Sequence, residues 1–164
     1  MLVGVLGLDR AAPGEGEEDL VEGVIPAHPL DVQDALIHYA RKGAIINISS
    51  VAGIKSLPGQ AHYSAAKHGV VGLTKSAAIE LAEYKIRVNS IHPWGVDTVL
   101  AADPTVGTLL TDHPSYLMSF GCMLSDPFPA SVDDISDAVI YLASDLSRAV
   151  TATQLTVDMG ATKV

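Results

Sequence analysis

Tyr63 and Lys67 stand four positions apart in the stretch HYSAAKHG, a spacing that puts both on one face of a helix, one turn apart. A phenol gives up its proton only near pH 10, so at neutrality it is a poor base unless something favours its anion. An ammonium within about 4–6 Å does so. Thirteen residues before Tyr63, Ser50 closes the run AIINISS. Its hydroxyl could hold a carbonyl or alcohol oxygen in line with the phenol, which passes the proton while a hydride moves to or from a cofactor. Such a trio suits interconversion of alcohols and ketones. Each part alone also has an ordinary reading, the pair as helix surface and the Ser-Ser step as a turn or cap.

The three side chains can meet only if a strand and a helix carry them together. AIINIS, residues 44–49, is a short β-branched run with apolar residues on both faces, as expected of a strand covered by helices on each side. A small-residue turn, VAG, and a segment with Pro58 and Gly59 lead to a helix predicted from about Ala61 to Tyr84. RVNSIHP is the next predicted strand, DDISDAVIYLASD a helix with Ile135, Val139 and Leu142 inward, and TQLTVD a last strand. Upstream, LDVQDALIHYARKG reads as a helix ending at Gly43, and MLVGVLGL as a strand. From Trp94 to about Ala130 the prolines at 104, 114, 127 and 129 mark an irregular stretch too long for a simple connection, a candidate lid or substrate loop. Strands alternating with helices predict an α/β fold, a Rossmann-like parallel sheet with flanking helices. In such sheets ligands bind beyond the carboxyl ends of the strands, where Ser49, Ser50 and residues 92–98 are expected.

With 164 residues and 48% hydrophobic content, the chain can bury a core. A formal net charge of −9, with ten Lys and Arg spread along the chain, argues against a nucleic-acid partner. No apolar run approaches the roughly 18 residues of a membrane span, and no signal segment is recognised, so no membrane partner is expected. The lone Cys122 cannot close an internal disulfide and fits a reducing, cytoplasmic setting. No metal is expected: His62 and His68 lack carboxylate or cysteine companions, and His28, His38, His92 and His113 are assigned no role. The acidic cluster from Glu15 to Glu22 reads as a solvated face.

NISSVAG, YSAAKHGVVGL and RVNSIHP, in this order and on these elements, resemble the short-chain dehydrogenase/reductase family from about residue 17 to the C-terminus. HYSAAKHGVVGL, RVNSIHPWGVDT, DDISDAVIYLASD and LTVDMGAT are most similar to the mycofactocin-coupled branch, which includes carveol-type dehydrogenases. The resemblance implies that Ser50 orients the substrate oxygen, Tyr63 is the acid/base, and Lys67 favours the phenolate while bonding the nicotinamide ribose. It implies nicotinamide contacts at Pro93, Val96 and Thr98, alongside Tyr63 and Lys67. The glycine typical after that proline is Trp94 here, an indole that could narrow the nicotinamide pocket or, the favoured reading, pack under the long loop. NAD is the implied cofactor, with NADP left open, and a small hydrophobic alcohol or ketone the implied substrate. A homo-oligomer is implied too, since family members commonly pair through the helix carrying Tyr63 and the one before it.

The family's opening T-G-x-x-x-G-x-G turn has no counterpart here, and Gly4, Gly7, Gly14 and Gly16 do not reproduce its spacing. Val24 falls where the family's tetrad asparagine is expected. Residues 1–164 are therefore read as a single partial domain, the C-terminal portion of the fold without its first βαβαβ half. Its parts are a divergent strand and acidic loop (1–30), a catalytic segment (31–98), a substrate-loop region (99–130) and a C-terminal helix and strand (131–164). Residues 2–8 could pair beside strand 44–49 and partly cover its edge, exchange with another subunit being the other route. The expected activity is oxidoreductase, with reduced turnover or no bound cofactor as consequences of the missing motifs. The alternative is a non-catalytic relic or oligomerisation module.

Overall fold

The structure, a computed structural model, describes residues 3–6, 43–99, 104–124 and 128–164. The helix predicted to end at Gly43, the acidic segment and Val24 lie outside the described residues. Four strands form one sheet in the order β1 (Val3–Leu6), β2 (Ala44–Ile48), β3 (Arg87–Pro93) and β4 (Gln154–Val157). Between β2 and β3 runs α1 (Ala61–Glu80), and between β3 and β4 come α2 (Thr105–Asp112) and α3 (Val132–Ala143). The pairs β2–β3 and β3–β4 are parallel, as the alternation of strands and helices predicts.

β1 pairs with β2 as expected, but antiparallel, with Val3 opposite Asn47 and Leu6 opposite Ala44. The strand thus departs from the all-parallel expectation. Its last residue lies beside the first of β2, an arrangement that an antiparallel neighbour permits and a parallel one does not.

The sheet has a helix on each side. Facing α1, Ile45 and Val88 pack with Ala78, Leu81 and Ile86. Facing α3, Ala44, Ile46 and Ile91 pack with Leu142, and Ile48, Ile135, Val139, Leu155 and Val157 border that cluster. Alternate residues of β2 supply both clusters, which is why the strand is apolar on both faces except at Asn47. Burial of each large aliphatic side chain contributes roughly 1.5–3 kcal/mol. Of the apolar residues of α1, Val70 and Ala78 are buried, whereas Leu73 and Ile79 are exposed.

The stretch after Trp94 is more ordered than its prolines suggest. Pro104 stands at the N-cap of α2 and Pro114 opens a 3-10 helix, Pro114–Phe120. Proline is tolerated at such starts because the first N–H groups of a helix have no intrahelical partner. At the other end of the chain's helices, Arg87 closes α3. Its guanidinium donates to the carbonyls of Leu142 (2.7 Å), Ala143 (3.4 Å) and Ser144 (3.3 Å) and to Ser147 Oγ (2.9 Å). These are carbonyls that a helix end leaves without partners. Arg87→Leu is expected to cost about 2–3 kcal/mol, read from the urea unfolding midpoint, by removing a charged donor from several acceptors at once. Arg87→Lys recovers only part of that, because an ammonium lacks the planar fork.

Candidate active site

On the face of the sheet that meets α1, character changes along the strands. The amino ends carry Ile45 and Val88; the carboxyl ends carry Asn47, Ser49, Ser90 and His92, all buried. Buried polar groups seek partners, and here all but Asn47 Oδ1, which has none among the described residues, find them on α1 and on one another. Asn47 Nδ2 donates to Thr74 Oγ1 at 3.0 Å, and Ser49 Oγ donates to the Lys67 carbonyl at 3.0 Å. The parallel ladder extends one residue beyond β2, with Ser49 N–H donating to Ile91 O at 2.8 Å.

Ser50 follows as the N-cap of a 3-10 turn, Val51–Gly53. Its Oγ accepts from Ala52 N–H at 3.1 Å, and its carbonyl accepts from Gly53 N–H at 2.9 Å. The hydroxyl proton is thereby left to donate elsewhere. Gly53 lies against α1 so closely that a Cβ there would sit 2.6 Å from Ser49 Oγ and 2.7 Å from Lys67 O. Only glycine lets the turn and the helix approach this far.

Tyr63 and Lys67 both lie on α1, Tyr63 in its first turn. Both are half-buried. Lys67 Nζ stands 5.5 Å from the Tyr63 ring centroid and donates to Ile48 O at 3.2 Å. The ammonium therefore lies between the phenol's ring and the strand end that leads into Ser50. Burial lowers its pKa from the ordinary lysine value. Among the described residues that one carbonyl is its acceptor, and two of its three N–H donors remain for a ligand.

Pro93 ends β3, and the chain then bends along the sheet's carboxyl edge. Val96 bridges to Ala130, Asp97 N–H donates to Ala130 O at 2.9 Å, and Ala130 N–H donates to Gly95 O at 2.8 Å. Thr98 is exposed, its hydroxyl 3.5 Å from Val96 O. Trp94 packs against Phe120 of the long loop, ring centroids 5.8 Å apart at 44°, as the sequence leads one to expect. Lys55 Nζ lies 6.0 Å above the indole and donates to Ala161 O.

His92 is the residue that sequence reasoning missed. It is wholly buried, with Nδ1 2.8 Å from Ser50 O and Nε2 2.9 Å from Ser90 Oγ. A carbonyl only accepts, so Nδ1 carries the proton and Nε2 accepts from the Ser90 hydroxyl. The neutral ring is fully satisfied. Burial lowers its pKa; the bond to Ser50 opposes this, while the nearby His68 and Lys67 reinforce it. The available signal was its parity: two residues beyond Ser90 on a strand, it must face the same side as a buried polar partner.

A family model described as enoyl-(acyl carrier protein) reductase matches residues 30–162. An NAD-dependent oxidoreductase of Mycobacterium tuberculosis, itself uncharacterised, is 45% identical over 130 residues, 79% of this chain and 47% of that protein. The chain belongs to the short-chain dehydrogenase/reductase family. Within that family, the (-)-trans-carveol dehydrogenase of Rhodococcus erythropolis is 38% identical over 74% of this chain and 47% of its own length. The crystal structure of a short-chain dehydrogenase from Mycobacterium paratuberculosis bound to NAD superposes with a TM-score of 0.75 at 40% identity, over 82% of this chain and 51% of that one. The chain spans about half the length of the curated relatives it matches, 47% for both of those named.

Two measurements test how this short-chain dehydrogenase/reductase segment is built. Gly53→Ala is expected to lower stability by about 1–3 kcal/mol, since backbone atoms must move to admit the methyl group. Gly69→Ala, where an added Cβ meets nothing within 4 Å, should instead stabilise α1 by roughly 0.5–1 kcal/mol. Protonation supplies the second. The unfolded chain takes up a proton on His92 near pH 6.5, the folded chain only at lower pH. The contribution of neutral His92 is thus intact above about pH 6.5 and is lost as pH falls below it, with a slope of at most about 1.4 kcal/mol per pH unit. Urea unfolding of the parent between pH 7.5 and 5.5 should show that fall, and His92→Asn should flatten it.

Proposed function

We propose that this chain is the catalytic segment of an NAD-dependent oxidoreductase that moves a hydride between the cofactor and a small hydrophobic alcohol or ketone. The observation that carries the reading is the position of Lys67: its ammonium stands 5.5 Å from the Tyr63 ring centroid and bonds the carbonyl two residues before Ser50. Relatives that are similar over this segment support the substrate class, among them the carveol dehydrogenase above and a cyclohexanol dehydrogenase of an Acinetobacter strain, 39% identical over 116 residues.

The residues fit the nicotinamide-ribose end of such a cofactor. Lys67 keeps two N–H donors suited to ribose hydroxyls, and the segment Pro93–Thr98 is tied down at Trp94, Asp97 and Ala130 to form a fixed edge beside it. NAD, when bound, supplies the hydride acceptor. Ser50, whose Oγ already accepts from Ala52, directs its remaining proton at the substrate oxygen and holds it in place. Tyr63 takes the alcohol's proton or returns it to the ketone. Lys67 stabilises the negative charge that gathers on the phenolic oxygen as its proton leaves. Val96 and Thr98 would border the nicotinamide, and Trp94 with Phe120 would present an apolar wall to the substrate. Among the described residues no helix begins at a glycine-rich turn of the kind that cradles pyrophosphate. The contacts assigned here are therefore confined to the nicotinamide end.

Trp94 is the only tryptophan, so energy transfer from its indole to NADH reports binding directly. Saturation below millimolar cofactor is the expected result; none at that concentration would favour the alternative of an assembly module without turnover. With a cyclic secondary alcohol and NAD, Tyr63→Phe should lower kcat by at least about 10²-fold and Ser50→Ala by roughly 10-fold or more, with circular dichroism unchanged. Equal rates in Tyr63→Phe and parent would remove the assigned proton carrier.

A further inference from the structure

We infer that His92 is a positioning residue for the proposed reaction, fixing Ser50 from behind through its backbone so that the serine hydroxyl keeps one direction. The inference rests on the catalytic role proposed for Ser50. Two donors converge on the Ser50 carbonyl, His92 Nδ1 at 2.8 Å and Gly53 N–H at 2.9 Å, while Ala52 N–H holds Oγ at 3.1 Å. A carbonyl has two lone pairs, and both are engaged. The peptide after Ser50 therefore cannot rotate without breaking a buried bond, and the hydroxyl inherits that rigidity. Gly53 and Ala52 belong to the same turn and move with it. His92 belongs to β3, so its bond ties the turn itself to the sheet, beyond the ladder bond of Ser49 to Ile91.

The ring itself is held against rotation. Ser90 Oγ engages Nε2 at 2.9 Å from two residues back on the same strand, and Ser90 N–H is anchored to Thr153 O at 3.0 Å. The register places Thr156 of β4 opposite His92. The charged or titratable groups acting on the ring come from α1, Lys67 and His68; its hydrogen-bond partners, Ser50 O and Ser90 Oγ, do not titrate. A chain Thr153–Ser90–His92–Ser50 thus runs from the residue just before β4 to the serine. Displacing a reacting group by about 1 Å can cost roughly 10²-fold in rate, so a partner that contacts neither substrate nor cofactor still governs turnover.

Asparagine and glutamine separate the two ends of the ring. The amide nitrogen of asparagine is bonded to Cγ, like Nδ1, and can reach Ser50 O; that of glutamine lies one bond further out, like Nε2, and reaches toward Ser90. With a cyclic secondary alcohol and NAD, His92→Asn is expected to keep kcat within about 3-fold of the parent, whereas His92→Gln and His92→Leu lose roughly 10- to 100-fold. NADH affinity, followed from Trp94, should change less than about 2-fold in His92→Asn and His92→Gln, which separates positioning from cofactor binding. Amide hydrogen exchange reads the same geometry without turnover. Ala52 and Gly53 should exchange about 10-fold faster in His92→Gln than in His92→Asn, with Ala152, bonded to Val88 O, unchanged. Equal kcat in the asparagine and glutamine variants of an active parent would overturn the inference, as would acceleration spread equally to Ala152. A parent that turns over no alcohol would defeat the proposed function, and the exchange pattern would still decide whether His92 holds the serine turn.

Discussion

The site depends on the rule that a buried polar atom must be hydrogen-bonded. Four polar side chains, Asn47, Ser49, Ser90 and His92, are buried on the face of the sheet that meets α1, where an ordinary α/β sheet face would be aliphatic. Leaving one such group unpaired costs about 1–3 kcal/mol, comparable to what a buried isoleucine contributes. The helix is therefore drawn to a position at which Thr74 meets Asn47 and the Lys67 carbonyl meets Ser49. The seating of α1, and with it of Lys67, against the strand end that leads into Ser50 follows from pairing this polar interior, before any ligand enters.

Stability and chemistry are accordingly divided between the two faces of the sheet. Toward α3 the contacts are aliphatic, and Arg87 seals the helix end. Toward α1 the aliphatic contacts stop at Ile45 and Val88, and hydrogen bonds take over. Asn89 joins the two halves laterally, its Nδ2 donating to Val150 O at 3.0 Å and its Oδ1 accepting from Thr153 N–H at 3.0 Å. This staple holds the approach to β4 at the point where Thr153 receives Ser90. A polar residue in a strand interior is costly unless it is used, and both ends of the Asn89 amide and both ring nitrogens of His92 are bonded.

Most of the elements were legible because their patterns are local. RVNSIHP reads as a strand from its β-branched residues and is one, residue for residue. The helix of Tyr63 ends at Glu80 rather than Tyr84 because the chain tightens into a 3-10 turn, Ala82–Tyr84, and then takes a left-handed conformation at Lys85. The pairing of β1 was legible and its direction was not, since direction is set by how the chain returns and not by strand composition. Helix α2 was hidden behind prolines that punctuate a sequence in either case, whether they interrupt a helix or begin one. At the site, the Tyr/Lys spacing announced itself, whereas His92 did not. Its function is a bond to a backbone carbonyl 42 positions away in sequence, and no side-chain pattern encodes a backbone partner.

The long loop is joined to this rigid core by means that separate substrate shape from proton chemistry. Asp158 accepts from Gly160 N–H, Thr162 N–H and Thr162 Oγ1. Its burial favours the neutral acid, but these donors, with the charge of Lys163, outweigh that and hold the carboxyl below its usual pKa. The turn so formed presents Met159 O to Met123 N–H and Leu124 N–H at 2.9 and 3.0 Å, and a Cβ on Gly160 would collide with Met123 at 2.9 Å. Lys55, just past the serine turn, reaches the same C-terminal turn at Ala161 O. The loop is thus fastened to the C-terminal turn and to Trp94, whereas Ser50, Tyr63 and Lys67 are fastened to the sheet and α1. In the proposed enzyme, substitutions along residues 114–124 would then reshape the substrate wall while leaving the proton path intact, because no hydrogen bond described for that path passes through the loop.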